Sequence, residues 1–167
     1  MKSAIPLLLF ASAGSAFLFG AAAPSPTPPS LIPIDEAGFQ RLVQPNKGKV
    51  VLYDFWATYC APCRAELPEL IKLDKRLHDK GFVLVTISGD EPEDDAKAAK
   101  YMDQAGAPKP AYHKAAKKDE VFINSIDRSW DGAMPALFLY DKQGRKVRSF
   151  IGETGIAEIE KAIRPLL

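Results

Sequence analysis

VVLYDFWATYCAPCRAELPEL, residues 50–70, contains the only two cysteines of a 167-residue chain, Cys60 and Cys63. Its first seven residues, VVLYDFW, form a β-branched and aromatic run of the kind that makes a buried strand. From about Ala61 to Lys80 the apolar residues Leu67, Leu70, Ile71, Leu73 and Leu77 recur at helical spacing. The cysteines therefore fall where a strand turns into a helix. A thiolate there meets unpaired backbone N–H groups and the positive end of the helix dipole. Both lower a thiol pKa, from about 8.5 into the range of roughly 3.5–7.5. Cys60, at the junction, is expected to be the exposed, acidic, attacking sulfur. Cys63, one turn in, is expected to be shielded and to resolve the mixed disulfide that Cys60 forms. A bridge across two residues removes little entropy from the unfolded chain, so stapling the fold is a weak reason for the pair.

Pro62 presets the first helical turn without losing a needed hydrogen bond. Pro68 lies inside the helix, where it has no N–H and should kink it. Resolution by Cys63 needs a proton acceptor. Asp54 interrupts an otherwise apolar strand, and Glu66 lies three residues after Cys63 on the same helical face. Burial would raise either carboxyl towards neutrality and suit it to exchanging protons with a thiol. The two remain alternatives.

Outward from this stretch, helix and strand signals alternate. Asp35 precedes a short helix with Phe39, Leu42 and Val43 on one face, and Gly81 closes the long one. FVLVTIS, residues 82–88, is a second buried strand. A helix follows, with Pro92 at its start and Gly106 at its exit. Residues 107–131 are the least regular, with a short strand at PAYH and a helical turn near EVFINSI. Ala136–Tyr140 and Lys146–Ile151 make a hairpin around DKQGR, and Thr154 is placed to cap a last helix. Buried strands joined by helices imply a parallel pair, and the late hairpin makes the sheet mixed. The expected fold is a three-layer α/β sandwich with a central mixed sheet flanked by helices.

The N-terminus reads differently. Met1 and Lys2 precede an apolar run to Ala23 that has the make-up of an export signal, with a retained membrane anchor as the alternative. Residues 24–30, PSPTPPS, read as an extended linker, which leaves residues 31–167 for one domain. The 22 basic and 21 acidic residues are dispersed, giving a net charge of +1. That distribution excludes the clustered basic footprint of a nucleic-acid binder.

The residues DFWATYCAPCRAELP, followed by GAMPALFLYDKQGRKV, resemble the thioredoxin superfamily, and within it the exported TlpA/ResA-like thiol–disulfide oxidoreductases. The resemblance covers roughly residues 31–167. It implies a cis proline at Pro135 beside the disulfide, with the Met134 backbone free to pair with an extended substrate segment. It also matches Asp54 to the buried acid of thioredoxin proper and Glu66 to the helix glutamate of the exported branch. Tyr59 stands where tryptophan is commoner. Trp130 is either a rim residue of the site or a packing aromatic.

The function implied is reduction of disulfides in exported proteins, in the bacterial periplasm or cell envelope. A membrane partner would supply electrons, and cytochrome c maturation is one setting. The chemistry needs no cofactor beyond the two sulfurs. Two alternatives belong to other classes. One is a Cu(I)-binding chaperone using Cys60, Cys63 and His113, with His78 too far along the helix to serve. The other is a thiol peroxidase, whose Pro-x-x-x-Thr/Ser-x-x-Cys spacing Thr58 and Cys60 do not reproduce.

Overall fold

The computed structural model of the chain describes residues 31–46 and 48–167. The expected signal or anchor at 1–23 and the linker at 24–30 lie outside them. Among the described residues no helix is long and apolar enough to cross a membrane.

Six strands form one sheet: β1 (Ile32–Ile34), β2 (Val50–Trp56), β3 (Phe82–Ser88), β4 (Tyr112–Lys114), β5 (Ala136–Tyr140) and β6 (Lys146–Ile151). Their order is β1-β4-β3-β2-β5-β6. The first four in that order run parallel, and β5 and β6 join antiparallel, so the sheet is mixed as expected. Among the described residues, five α-helices cover it: α1 (Glu36–Val43), α2 (Ala61–Leu77), α3 (Asp95–Ala105), α4 (Asp119–Ile126) and α5 (Ile156–Ile163).

Strand alternation sorts the core into two halves. Val50, Leu52 and Trp56 of β2 pack with Leu67, Leu70 and Leu73 of α2, Met102 of α3 and Ile159 of α5. Val51, Tyr53 and Phe55 point the other way, onto Phe39 of α1 and Phe122 of α4. Because β2 is buried on both faces, its sequence reads as a continuous apolar run. The exception is Asp54, which alternation puts on the α2 face.

Local expectations fared unevenly. Asp35 does cap α1, its Oδ1 accepting the Gly38 N–H at 2.7 Å. Asp35→Ala should therefore cost about 1 kcal/mol, read as a lower urea midpoint with an unchanged slope. The long helix ends at Leu77, three residues early, because His78–Lys80 tighten into a 3₁₀ turn before the left-handed Gly81. Pro68 leaves α2 continuous. The Arg64 carbonyl, which Pro68 cannot satisfy, accepts the hydroxyl of Tyr101 on α3 at 3.2 Å.

Pro92 opens a 3₁₀ turn ahead of α3 rather than the α-helix itself. Thr154 does not cap α5. Gly155 takes that position, and the Thr154 hydroxyl donates to the Gly152 carbonyl. Strand β1 was not anticipated, since three residues centred on Pro33 carry no strand signal. Pro33 is tolerated there because β1 lies at the sheet edge.

Candidate active site

Strand β2 ends at Trp56, and a four-residue loop, Ala57–Cys60, delivers the chain to α2. The Cys60 N–H donates to the Ala57 carbonyl at 3.1 Å, which makes the loop a turn. Cys60 is the N-cap of α2, and its Sγ accepts the Cys63 N–H at 3.3 Å. The two cysteines form a disulfide with their Cα atoms 5.3 Å apart. Sulfur thus occupies the place where a serine or aspartate oxygen ordinarily satisfies a helix N-terminus.

The expected exposure of Cys60 needs correction. It retains 8% of its accessible surface against 2% for Cys63, so the order holds but both are buried. The cause is the capping role, which folds Cys60 down onto its own helix. The exposed residues beside it are Tyr59, at 68%, and Ala61.

The loop before β5 supplies the opposite wall. Met134–Pro135 is cis, as the resemblance implies. Met134 packs over Gly89, where an added Cβ would lie 3.3 Å from the Met134 Sδ and Cε. Trp130 is buried, and its indole N–H donates to the Ala133 carbonyl at 2.8 Å. Its ring centroid is 5.0 Å from that of Phe55 and 5.1 Å from that of Phe138. Trp130 thus packs in the core and also lines a small cleft of about 140 Å³ together with Tyr59 and Met134.

Two carboxyl groups lie on the α2 side of the sheet, Asp54 on β2 and Glu66 on α2 itself. Asp54 is 2% exposed, and its Oδ2 has no hydrogen-bond partner among the described residues. Its register partner on β3, Thr86, is also buried, with a hydroxyl that finds no partner among them. Burial raises the Asp54 carboxyl well above the usual range, and the charge of Glu66 adds to the effect. Glu66 is pushed up to about 7, first by burial and then by Glu153. Both of its oxygens are buried, again without a hydrogen-bond partner among the described residues. Glu66 and Glu153 line a surface hollow of about 470 Å³ together with Pro62. Of the two acids the sequence offered as alternatives, Glu66 thus acts electrostatically on Asp54.

His113 faces Asp95, with Nδ1 3.1 Å from the carboxylate. Among the described residues no group of three His, Cys, Asp or Glu side chains is placed to hold a metal ion.

Sequence reasoning missed Glu153 and the trio Thr58, Ser88 and Asp90. Glu153 lies far along the chain and reads as an ordinary surface acid. Asp90 opens the acidic run DEPEDD, which reads as a solvated helix start. Instead it is buried and bonded to Thr58.

Comparison with known proteins gives concordant results. The family described as Redoxin matches residues 38–163. A thiol-disulfide oxidoreductase ResA from Bacillus cereus is 30% identical over 132 residues, covering 79% of this chain and 72% of that protein. ResA of Geobacillus kaustophilus is 26% identical over 172 residues, covering 99% and 94%. Among solved structures, a thiol:disulfide interchange protein of the thioredoxin family from Chlorobium tepidum TLS is similar, with a TM-score of 0.62 and 25% identity. The match covers 87% of this chain and 99% of that one.

Proposed function

Since the chain belongs to the redoxin family and is a ResA-like thiol–disulfide oxidoreductase with a thioredoxin-like fold, we propose that it works as a reductant of disulfides in exported proteins. The reduced Cys60 thiolate attacks a substrate disulfide. One Cys60–substrate bond forms, and one substrate thiolate leaves. Cys63 then gives its proton to an ionised carboxylate of the pair, which becomes the neutral acid, and attacks Cys60. The second substrate thiol departs with two electrons transferred, and the enzyme is left as the Cys60–Cys63 disulfide. Asp54 and Glu66 form the proton-accepting pair. Met134 and Pro135 offer backbone to the substrate segment, with Tyr59 and Pro62 at its edges.

One observation carries the direction: two carboxyl groups with buried oxygens stand on β2 and α2, the two elements that flank the Cys60–Cys63 motif. Burial there, together with the charge of whichever carboxyl ionises, opposes a thiolate, and a reduced form that is not stabilised makes its disulfide a poor oxidant. The apolar segment 1–23 and the linker 24–30 fit delivery to the periplasm or cell envelope, where a membrane protein would restore the dithiol. Maturation of c-type cytochromes is the setting in view. The test is the equilibrium reduction potential in a glutathione or dithiothreitol couple. A value near about −270 mV is expected, and one near about −120 mV, typical of a strong oxidant, would overturn the direction.

A further inference from the structure

The end of β3 and the residues just after it, Ser88-Gly89-Asp90, touch both walls of the redox site. Their side chains are buried, with Asp90 only 1% exposed. Both Asp90 oxygens accept the Thr58 backbone N–H at 3.0 Å. Its Oδ1 also accepts the Thr58 hydroxyl at 2.6 Å, and its Oδ2 the Ser88 hydroxyl at 2.7 Å. The Asp90 N–H in turn donates to the Ser88 Oγ at 3.1 Å. One residue earlier, the Gly89 N–H donates to the Trp56 carbonyl at 2.8 Å. The same glycine forms the floor under Met134. A single short loop therefore holds the Thr58–Cys60 segment from below and supports the cis-proline loop from the side.

We propose that Asp90 is a positioning residue for the thiol chemistry: by gripping Thr58 it fixes the turn that seats Cys60 as the sulfur N-cap of α2. The seat matters because the thiolate gains from the Cys63 N–H and the helix dipole only while its sulfur stays over the first turn. Thr58 is two residues from Cys60. If it swings free, the turn made by Cys60 N–H and Ala57 carbonyl loosens, and the cap loosens with it. The grip works through hydrogen-bond acceptance, not through charge alone. An asparagine can keep its carbonyl oxygen towards Thr58 while its amide donates to Ser88 Oγ, which is able to accept.

The proposal rests on Cys60 being the attacking sulfur, and the test separates the two. The fully reduced protein is alkylated with iodoacetamide across pH 5–9, and the labelled cysteine is identified by peptide mapping. Wild type should label at Cys60, and label at Cys63 instead would remove the assignment and this proposal with it. With Cys60 labelled, Asp90→Ala should raise the midpoint of the pH–rate profile by about one unit and slow alkylation at pH 7 by about tenfold. Thr58→Val, which loses the hydroxyl donor and keeps the fold should Asp90→Ala not, should move it the same way by a smaller amount. Asp90→Asn and Thr58→Ser should stay within about twofold of wild type, because each keeps the grip. A purely structural role would lower thermal stability and leave the midpoint in place in Asp90→Ala and Thr58→Val, which would overturn the proposal. So would a lowered midpoint in Asp90→Asn, since that result makes the charge, and not the grip, the acting property.

Discussion

Cys63→Ser should accumulate as a covalent adduct with its substrate, linked through Cys60. The reaction has two displacements, and only the second uses Cys63. Replacing that sulfur with a hydroxyl leaves the first step intact and removes the nucleophile of the next. The adduct should be visible on non-reducing gels and collapse with dithiothreitol, and mass spectrometry of the captured chain would name the partner. Cys60→Ser should capture nothing comparable, and its turnover should fall by about a thousandfold or more, each tenfold being about 1.36 kcal/mol of barrier. The asymmetry follows from position. Cys60 lies at the end of the loop, with more surface than Cys63, which sits inside the first turn of α2. Equal trapping by both single variants would end the assignment of separate attacking and resolving roles.

The second large effect concerns the buried acids, and its sign can be worked out. Asp54 and Glu66 both bind protons more tightly in the folded chain than in the unfolded one, Glu66 titrating at about 7. Between the ordinary carboxyl range and that value the native state holds more protons than the unfolded state. Stability therefore falls as pH rises through this window, and the Glu66 share of the loss levels off above about 7.

Asp54→Asn should stabilise the protein at pH 8 by on the order of 1–3 kcal/mol and do little at pH 4, where the native acid is already neutral. Glu66→Gln should act in the same direction but less, because solvent reaches part of that side chain. Activity should move the other way. Without the acceptor, release of the mixed disulfide should slow by about a hundredfold at neutral pH. Thermal melts at the two pH values, paired with single-turnover kinetics, read both effects. A variant whose melting curve keeps the wild-type pH dependence would show that its carboxyl is not the perturbed group.

Much of the fold was legible because its core strands are buried on both faces. β2 and β3 read as continuous apolar runs, and Gly81 and Gly106 closed their helices as their left-handed backbones require. The short edge elements were less legible. β1 has three residues with a proline at the centre, and its place comes from pairing with β4, which no local pattern announces. The cap of α5 passed from Thr154 to Gly155, since the threonine hydroxyl found a carbonyl acceptor nearer at hand.

The redox pair, its place at a strand-to-helix junction and the candidacy of both acids were decided by residues 50–70 alone. Those are local matters: spacing puts two sulfurs on one turn, and an acid among apolar neighbours is conspicuous in one dimension. Tertiary structure decided how deep Cys60 sits, that the charge of Glu66 bears on Asp54, and that Glu153 presses on Glu66. It also decided that Asp90 reaches back thirty-two residues to hold Thr58. Burial and electrostatic coupling depend on which surfaces the sheet order brings together, and the order β3-β2-β5 sets β2 between a strand that follows it and a hairpin from far along the chain.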